Sequence, residues 1–142
     1  MSEGRFPYQK LAKYPHLKPE DVETWEAFID KNPDAYERVD YDYALGHVPD
    51  HAAEAERLGI SGVEKLNQYK VDVVGYKKDA VHIIELKGKA TAAALGQIFL
   101  YRQLYSEERR PVVPTKAVII AREATLDLPR IAEMQDVKLI VV

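Results

Sequence analysis

The chain has 142 residues, 46% of them hydrophobic and 30% charged, with a net charge of -3 and no cysteine. Those values fit one domain with a real core, not a disordered chain, and the missing cysteines exclude a disulfide scaffold or a thiolate zinc site. The acidic balance argues against a broad basic nucleic-acid-binding face, while leaving room for a local patch.

The opening stretch, MSEGRFPYQKLAKYPHLKPED, holds no apolar core of a secretory signal. No apolar run nears the roughly 18 residues that span a bilayer. An intracellular setting is therefore expected, cytoplasmic or nucleoid-associated and away from membranes. Residues 1–18, rich in Pro, Tyr and Lys, read as an irregular arm, and 19–142 as a single domain.

Pro19 suits a first helical turn, with Glu20 and Asp21 favourable beside the helix N-terminus. Val22, Trp25, Phe28 and Ile29 recur at helical spacing, which predicts a helix over 19–31, stopped by Asn32-Pro33-Asp34. Residues 36–45 alternate as a strand, with Val39, Tyr41 and Tyr43 on one face and Asp40 and Asp42 on a solvated one. A connection follows over 47–67, with a short helix at 50–58 and breakers at Gly59 and Gly62. Strands are predicted at 70–76 and 81–87 around a turn at 77–80, then a helix over 91–106 and a strand at 117–121. A short helix at 128–134 and a strand at 137–142 complete the chain. The order is α-β-β-β-α-β plus a C-terminal helix and strand, an α/β (α+β) mixed sheet flanked by helices.

The stretch IIELKGKA, starting at Ile83, poses a chemical question. Alternation puts Glu85 and Lys87 on one face of a strand that otherwise reads as buried. With a tight turn at Lys78-Asp79, Asp72 lies across from Glu85. Opposed like charges destabilise a sheet unless something positive sits between them. A divalent metal and Lys87 are both candidates, and hard oxygen ligands suit Mg²⁺ or Mn²⁺. A half-exposed acidic pair answered by Lys87 alone fits the same geometry. On the following helix Gln97 and Tyr101 lie one turn apart within an apolar stripe, where Gln97 needs a partner. Glu26 borders the stripe of the first helix, while Glu23 points further toward solvent.

Asp72, a 12-residue gap with a hairpin turn, Glu85-Leu86-Lys87 and a Gln97-x-x-x-Tyr101 helix together resemble the PD-(D/E)XK nuclease superfamily. The Gln-x-x-x-Tyr element resembles its RecB-type branch. The likeness covers 20–142, with Val71 where the motif has proline. It implies a restriction-endonuclease-like core and metal-dependent hydrolysis of DNA phosphodiesters, in repair, recombination or phage and mobile-element processing. Asp72, Glu85 and the Leu86 carbonyl would hold Mg²⁺ or Mn²⁺, with Glu26, or Glu23 behind it, as the acid of the first helix. Lys87 would act on the attacking water, and Gln97 and Tyr101 would brace the site or touch the DNA backbone. Lys89 and Arg102 would contact DNA, with Arg109 and Arg110 as further candidates. DNA is the implied partner, and a homodimer or a partner protein would complete the activity.

Other groups carry less. His47 and His51 are four apart, but Val48-Pro49-Asp50 breaks a helix between them. His82 should point away from Glu85. No Gly-rich phosphate loop, G-x-S-x-G or HExxH occurs. The alternative function is a non-catalytic DNA- or protein-binding module on the same fold.

Overall fold

The computed structural model describes residues 4–45, 57–59 and 69–142. His47 and His51 lie outside them, as does most of the helix expected at 50–58. Six strands form one sheet in the order β1-β2-β3-β4-β5-β6: β1 (Phe6–Pro7), β2 (Arg38–Leu45), β3 (Tyr69–Tyr76), β4 (Val81–Ala90), β5 (Thr115–Ala124) and β6 (Val137–Val141). The first four pair antiparallel; β4, β5 and β6 run parallel. The helices lying wholly within the described residues are α1 (Pro19–Lys31), α2 (Ala92–Arg109) and α3 (Leu128–Met134). Among the described residues no helix is long and apolar enough to cross a membrane.

The parallel strands are apolar on both faces, as strands covered on both sides must be. Ile83, Ala117, Ile119 and Val137 pack under α2 and α3. Ile84, Leu86, Val118 and Ile120 pack under α1. On α1 the stripe read from the sequence is the buried one: Trp25, Phe28 and Ile29 face the sheet. Trp25 is fully buried, and its Nε1–H donates to the Tyr41 hydroxyl at 2.9 Å.

The residues read as an irregular arm are anchored. Phe6 and Pro7 pair with Val39 and Arg38 at the sheet edge. Tyr14 is buried, and Tyr8 packs edge-on against Trp25 and Tyr36. Arg5 brings a correction. Asp40, expected on a solvated face, is 4% exposed. It accepts from Arg5 N at 2.9 Å, Arg5 Nε at 3.1 Å and the Tyr76 hydroxyl at 2.7 Å. A buried carboxylate is tolerated because its partners come from distant segments of the chain.

Other bounds moved for local reasons. β4 and β5 run beyond their apolar stretches because parallel pairing continues through Lys89↔Glu123 and Ala90↔Ala124. α2 runs to Arg109 and stops at Arg110, which takes a left-handed φ of 43° just before Pro111.

One irregularity shapes the site. Tyr41 and Val73 are cross-strand partners on the α1 side, whereas Tyr43 and Val71, two positions along, pack on the α2 side. Regular alternation forbids this, so the β2–β3 ribbon rolls between them. Asp42 takes up the change with a φ of 51°, a left-handed conformation Asp adopts more readily than most side chains. Pairing skips Asp42 and Asp72 at that point.

Candidate active site

The β3–β4 hairpin turns at Lys77–Ala80, closed by Lys77 N donating to the Ala80 carbonyl at 2.9 Å. Its register runs from Tyr76↔Val81 to Val73↔Ile84 and then stops. The next positions are Asp72 and Glu85. There the carboxylates replace the ladder: Leu86 N donates to Asp72 Oδ2 at 2.9 Å, and Asp72 N to Glu85 Oε1 at 3.5 Å. The acids are thus held where β3 is released from both neighbours.

Burial is the main electrostatic fact. Glu85 is 3% exposed. Desolvation first, and then the Asp72 charge, push its pKa from 4.5 up to about 8. Asp72 rises from 3.8 to about 6, chiefly by desolvation; the Leu86 N–H opposes the rise and the Asp21 charge adds to it. Both carboxyls are raised, so the pair as a unit holds a proton to higher pH than two free carboxyls would. Among the described residues Lys87 is the cation beside the pair, its Nζ 3.8 Å from Glu85 Oε2. One ammonium at that distance leaves buried Glu85 and half-buried Asp72 short of positive charge.

Gln97 has the partner its place required: Nε2 donates to the Tyr101 hydroxyl at 3.0 Å. Tyr101 is buried, and its pKa is raised mainly by burial, with Glu85 and Asp72 adding to the rise and the Gln97 bond opposing it. The Gln97–Tyr101 pair therefore stands within the field of the acids. Asp72, Glu85, Lys87, Gln97 and Tyr101 form one neighbourhood.

The remaining candidates are placed elsewhere. Glu26 accepts from the Tyr14 hydroxyl at 2.7 Å. The α1 carboxylate whose charge raises both Asp72 and Glu85 is Asp21, five positions earlier, and Lys87 acts on it in turn. Glu23 is exposed. Arg102 donates Nη1 to the Asp136 carbonyl at 3.3 Å and lies over Phe99, toward α3. Lys89 is exposed beyond Lys87 on β4. Arg109 sits 5.9 Å from the Tyr43 ring. Asp42 Oδ2 lies 3.4 Å from Lys70 Nζ. His82, as expected, faces α1, opposite to Glu85, and meets the Tyr36 hydroxyl. Asp21 escaped the sequence reading because its first-turn position explained it as a helix-end charge; the missed signal was that this turn overlies β4.

Two carboxylates and the Leu86 carbonyl are hard oxygen donors, and their raised pKa values mark a site that a cation would relieve. Among the described residues no three His, Cys, Asp or Glu side chains converge as a metal cluster. A bound cation would keep several waters, which suits Mg²⁺. The donor set fits such an ion.

No protein-family model matches the sequence, and no curated protein matches it. Two solved structures resemble the fold. A repair endonuclease from Pyrococcus abyssi superposes with a TM-score of 0.57 at 18% identity, over 93% of this chain and 49% of that one. EndoMS in a complex with dsDNA gives a TM-score of 0.50 at 18% identity, over 93% and 48%. The chain spans about half the length of either. What it shares with them is the architecture, a mixed six-stranded sheet flanked by three helices in an endonuclease-like α+β fold.

Proposed function

We propose that this chain is a metal-dependent nuclease that hydrolyses phosphodiester bonds in DNA, of the PD-(D/E)XK kind with a RecB-type Gln-x-x-x-Tyr helix. The observation that carries the reading is the pair of half-buried Asp72 and buried Glu85, set at the point where the ladder opens, with Lys87 3.8 Å from Glu85. A sheet gains no stability from a buried acid placed against a half-buried one. The endonuclease-like fold supports the reading, and the names of its two structural neighbours favour DNA as substrate and repair as setting.

Asp72, Glu85 and the Leu86 carbonyl would hold Mg²⁺ or Mn²⁺. Such an ion supplies Lewis-acid stabilisation of phosphate charge and a water of lowered pKa. The chain's own groups do the rest. The Asp72–Glu85 pair, whose carboxyls are both raised by burial, would supply the negative charge of the site and would be relieved by a bound cation. Lys87, a third exposed at its side chain, reaches from Glu85 toward solvent, where its ammonium offsets the charge that develops on the phosphate. The Gln97–Tyr101 bond holds a neutral phenol against the acids and braces them from α2. Asp21 takes the place first given to Glu26 as the acid of α1.

Cleavage of linear duplex, single-stranded, circular and branched DNA in Mg²⁺ or Mn²⁺, against a chelator control, tests the proposal. Loss of cleavage in both Lys87→Ala and Asp72→Ala, with folding intact, is the expected result. If DNA is bound equally by wild type and variants but never cut, the chain is a binding module on this fold.

A further inference from the structure

The opposite face of β4 holds a second constellation that cleavage does not use. A cavity of about 370 Å³ opens on the α1 side, at the start of β4 and the end of α1. That lies within the roughly 300–1,000 Å³ of small-molecule sites. Phe28, Val118 and Ile140 give it an apolar floor. Two ammonium groups flank it, Lys77, which stands 5.6 Å from the Tyr36 ring centroid, and Lys138 from β6.

His82 lines the same cavity, its Nδ1 2.8 Å from the Tyr36 hydroxyl. Burial holds Tyr36 above the ordinary tyrosine range. In the tautomer whose hydrogen is on Nε2, the Tyr36 hydroxyl donates to Nδ1. Burial, and after it the charges of Lys77 and Lys138, hold His82 neutral, with a pKa down to about 4; Asp79 opposes them and Lys116 adds to them. Among the described residues the Nε2–H has no partner. His82 is only half-buried and Nε2 is not among the sealed unpaired atoms, so an acceptor on a ligand can take the place of water there. Asp34 also lines the cavity; it disfavours a bare polyanion and accepts from hydroxyl groups.

We propose that this cavity is a second ligand site that takes a phosphate ester of mononucleotide size, with its phosphate among Lys77, Lys138 and the His82 Nε2–H and its ring on the Phe28, Val118 and Ile140 floor. The assignment is independent of cleavage at Asp72 and Glu85. Calorimetric titration of the full chain in chelator tests it, with thymidine 5′-monophosphate, thymidine, inorganic phosphate and a short DNA duplex as probes. The nucleotide should bind wild type and Asp72→Ala alike. It should bind at least about tenfold more weakly to a Lys77→Glu/Lys138→Glu variant, since charge-assisted bonds are lost. Thymidine and inorganic phosphate should each bind far more weakly than the nucleotide. Four results would overturn the proposal: no nucleotide binding at millimolar concentration, binding indifferent to the charge reversals, inorganic phosphate bound as tightly as the nucleotide, or reversal-sensitive binding of duplex alone, which makes these lysines a DNA backbone contact.

Discussion

Replacing Glu85 by Gln isolates the strain in the acidic pair. In the unfolded chain Glu85 titrates at its ordinary 4.5, and in the fold at about 8. Because the folded value is raised, the stability it allows is fully present below pH 4.5 and is lost as pH rises through 8. At about 1.4 kcal/mol per pKa unit, the displacement from 4.5 to about 8 sets a ceiling near 5 kcal/mol above pH 8. Gln keeps the shape, but its amide must find partners of its own, so a net gain of about 3 kcal/mol is expected. For a chain of this size that is a Tm rise of roughly 10 °C. Differential scanning calorimetry in chelator from pH 4 to 9 reads it directly. Wild type and Glu85→Gln should coincide near pH 4 and diverge as pH rises, with the variant the more stable and inert toward DNA. A pH-independent difference, or a variant less stable at pH 9, would falsify the buried-pair account.

Added Mg²⁺ should restore what the acids lose. At ten times its Kd it should stabilise wild type at pH 8 by about 1.4 kcal/mol and leave Asp72→Ala unmoved; equal shifts in both would place the ion elsewhere. Tyr101→Phe removes the Gln97 bond and should lower stability by about 1 kcal/mol while slowing cleavage; unchanged rates would make the pair purely structural. Glu26→Gln should disturb the Tyr14 contact yet leave cleavage intact, whereas Asp21→Asn should slow it, and the reverse ranking would return the α1 role to Glu26. Tyr41→Phe strands the Trp25 indole N–H and should lower stability by about 1–3 kcal/mol, measured by urea denaturation.

The hairpin was readable from one count. A two-residue turn at Lys78-Asp79 fixes the register, and the observed Val73↔Ile84 pair is the one that count demands. The α1 stripe was readable because Trp25, Phe28 and Ile29 carry it by size and spacing. What escaped reading came from distant chain segments. Asp40 looked solvated because Asp usually is; its burial depends on Tyr76 and Arg5, 36 and 35 positions away. Asp21 and Glu26 are chemically alike, and only the placement of α1 over the sheet tells which one feels Lys87. Arg102 had the charge for DNA, but the Asp136 carbonyl draws it toward α3. The roll at Asp42 has no periodic signature at all, since alternation continues through it in the sequence.

The single tryptophan makes one face of the molecule optically visible. Trp25 is sealed between α1 and the sheet, among Tyr8, Phe28, Tyr36 and Tyr41. Its emission will report the detachment of α1 and the N-terminal arm, and nothing of α2. Circular dichroism, weighted by the 18-residue α2, samples mostly the other face. Coincident denaturation curves from the two probes would mean that both layers melt as one cooperative unit; an early fluorescence transition would mean that the α1 layer lifts first, taking Asp21 away from Lys87 while the hairpin that carries Asp72 and Glu85 is still folded.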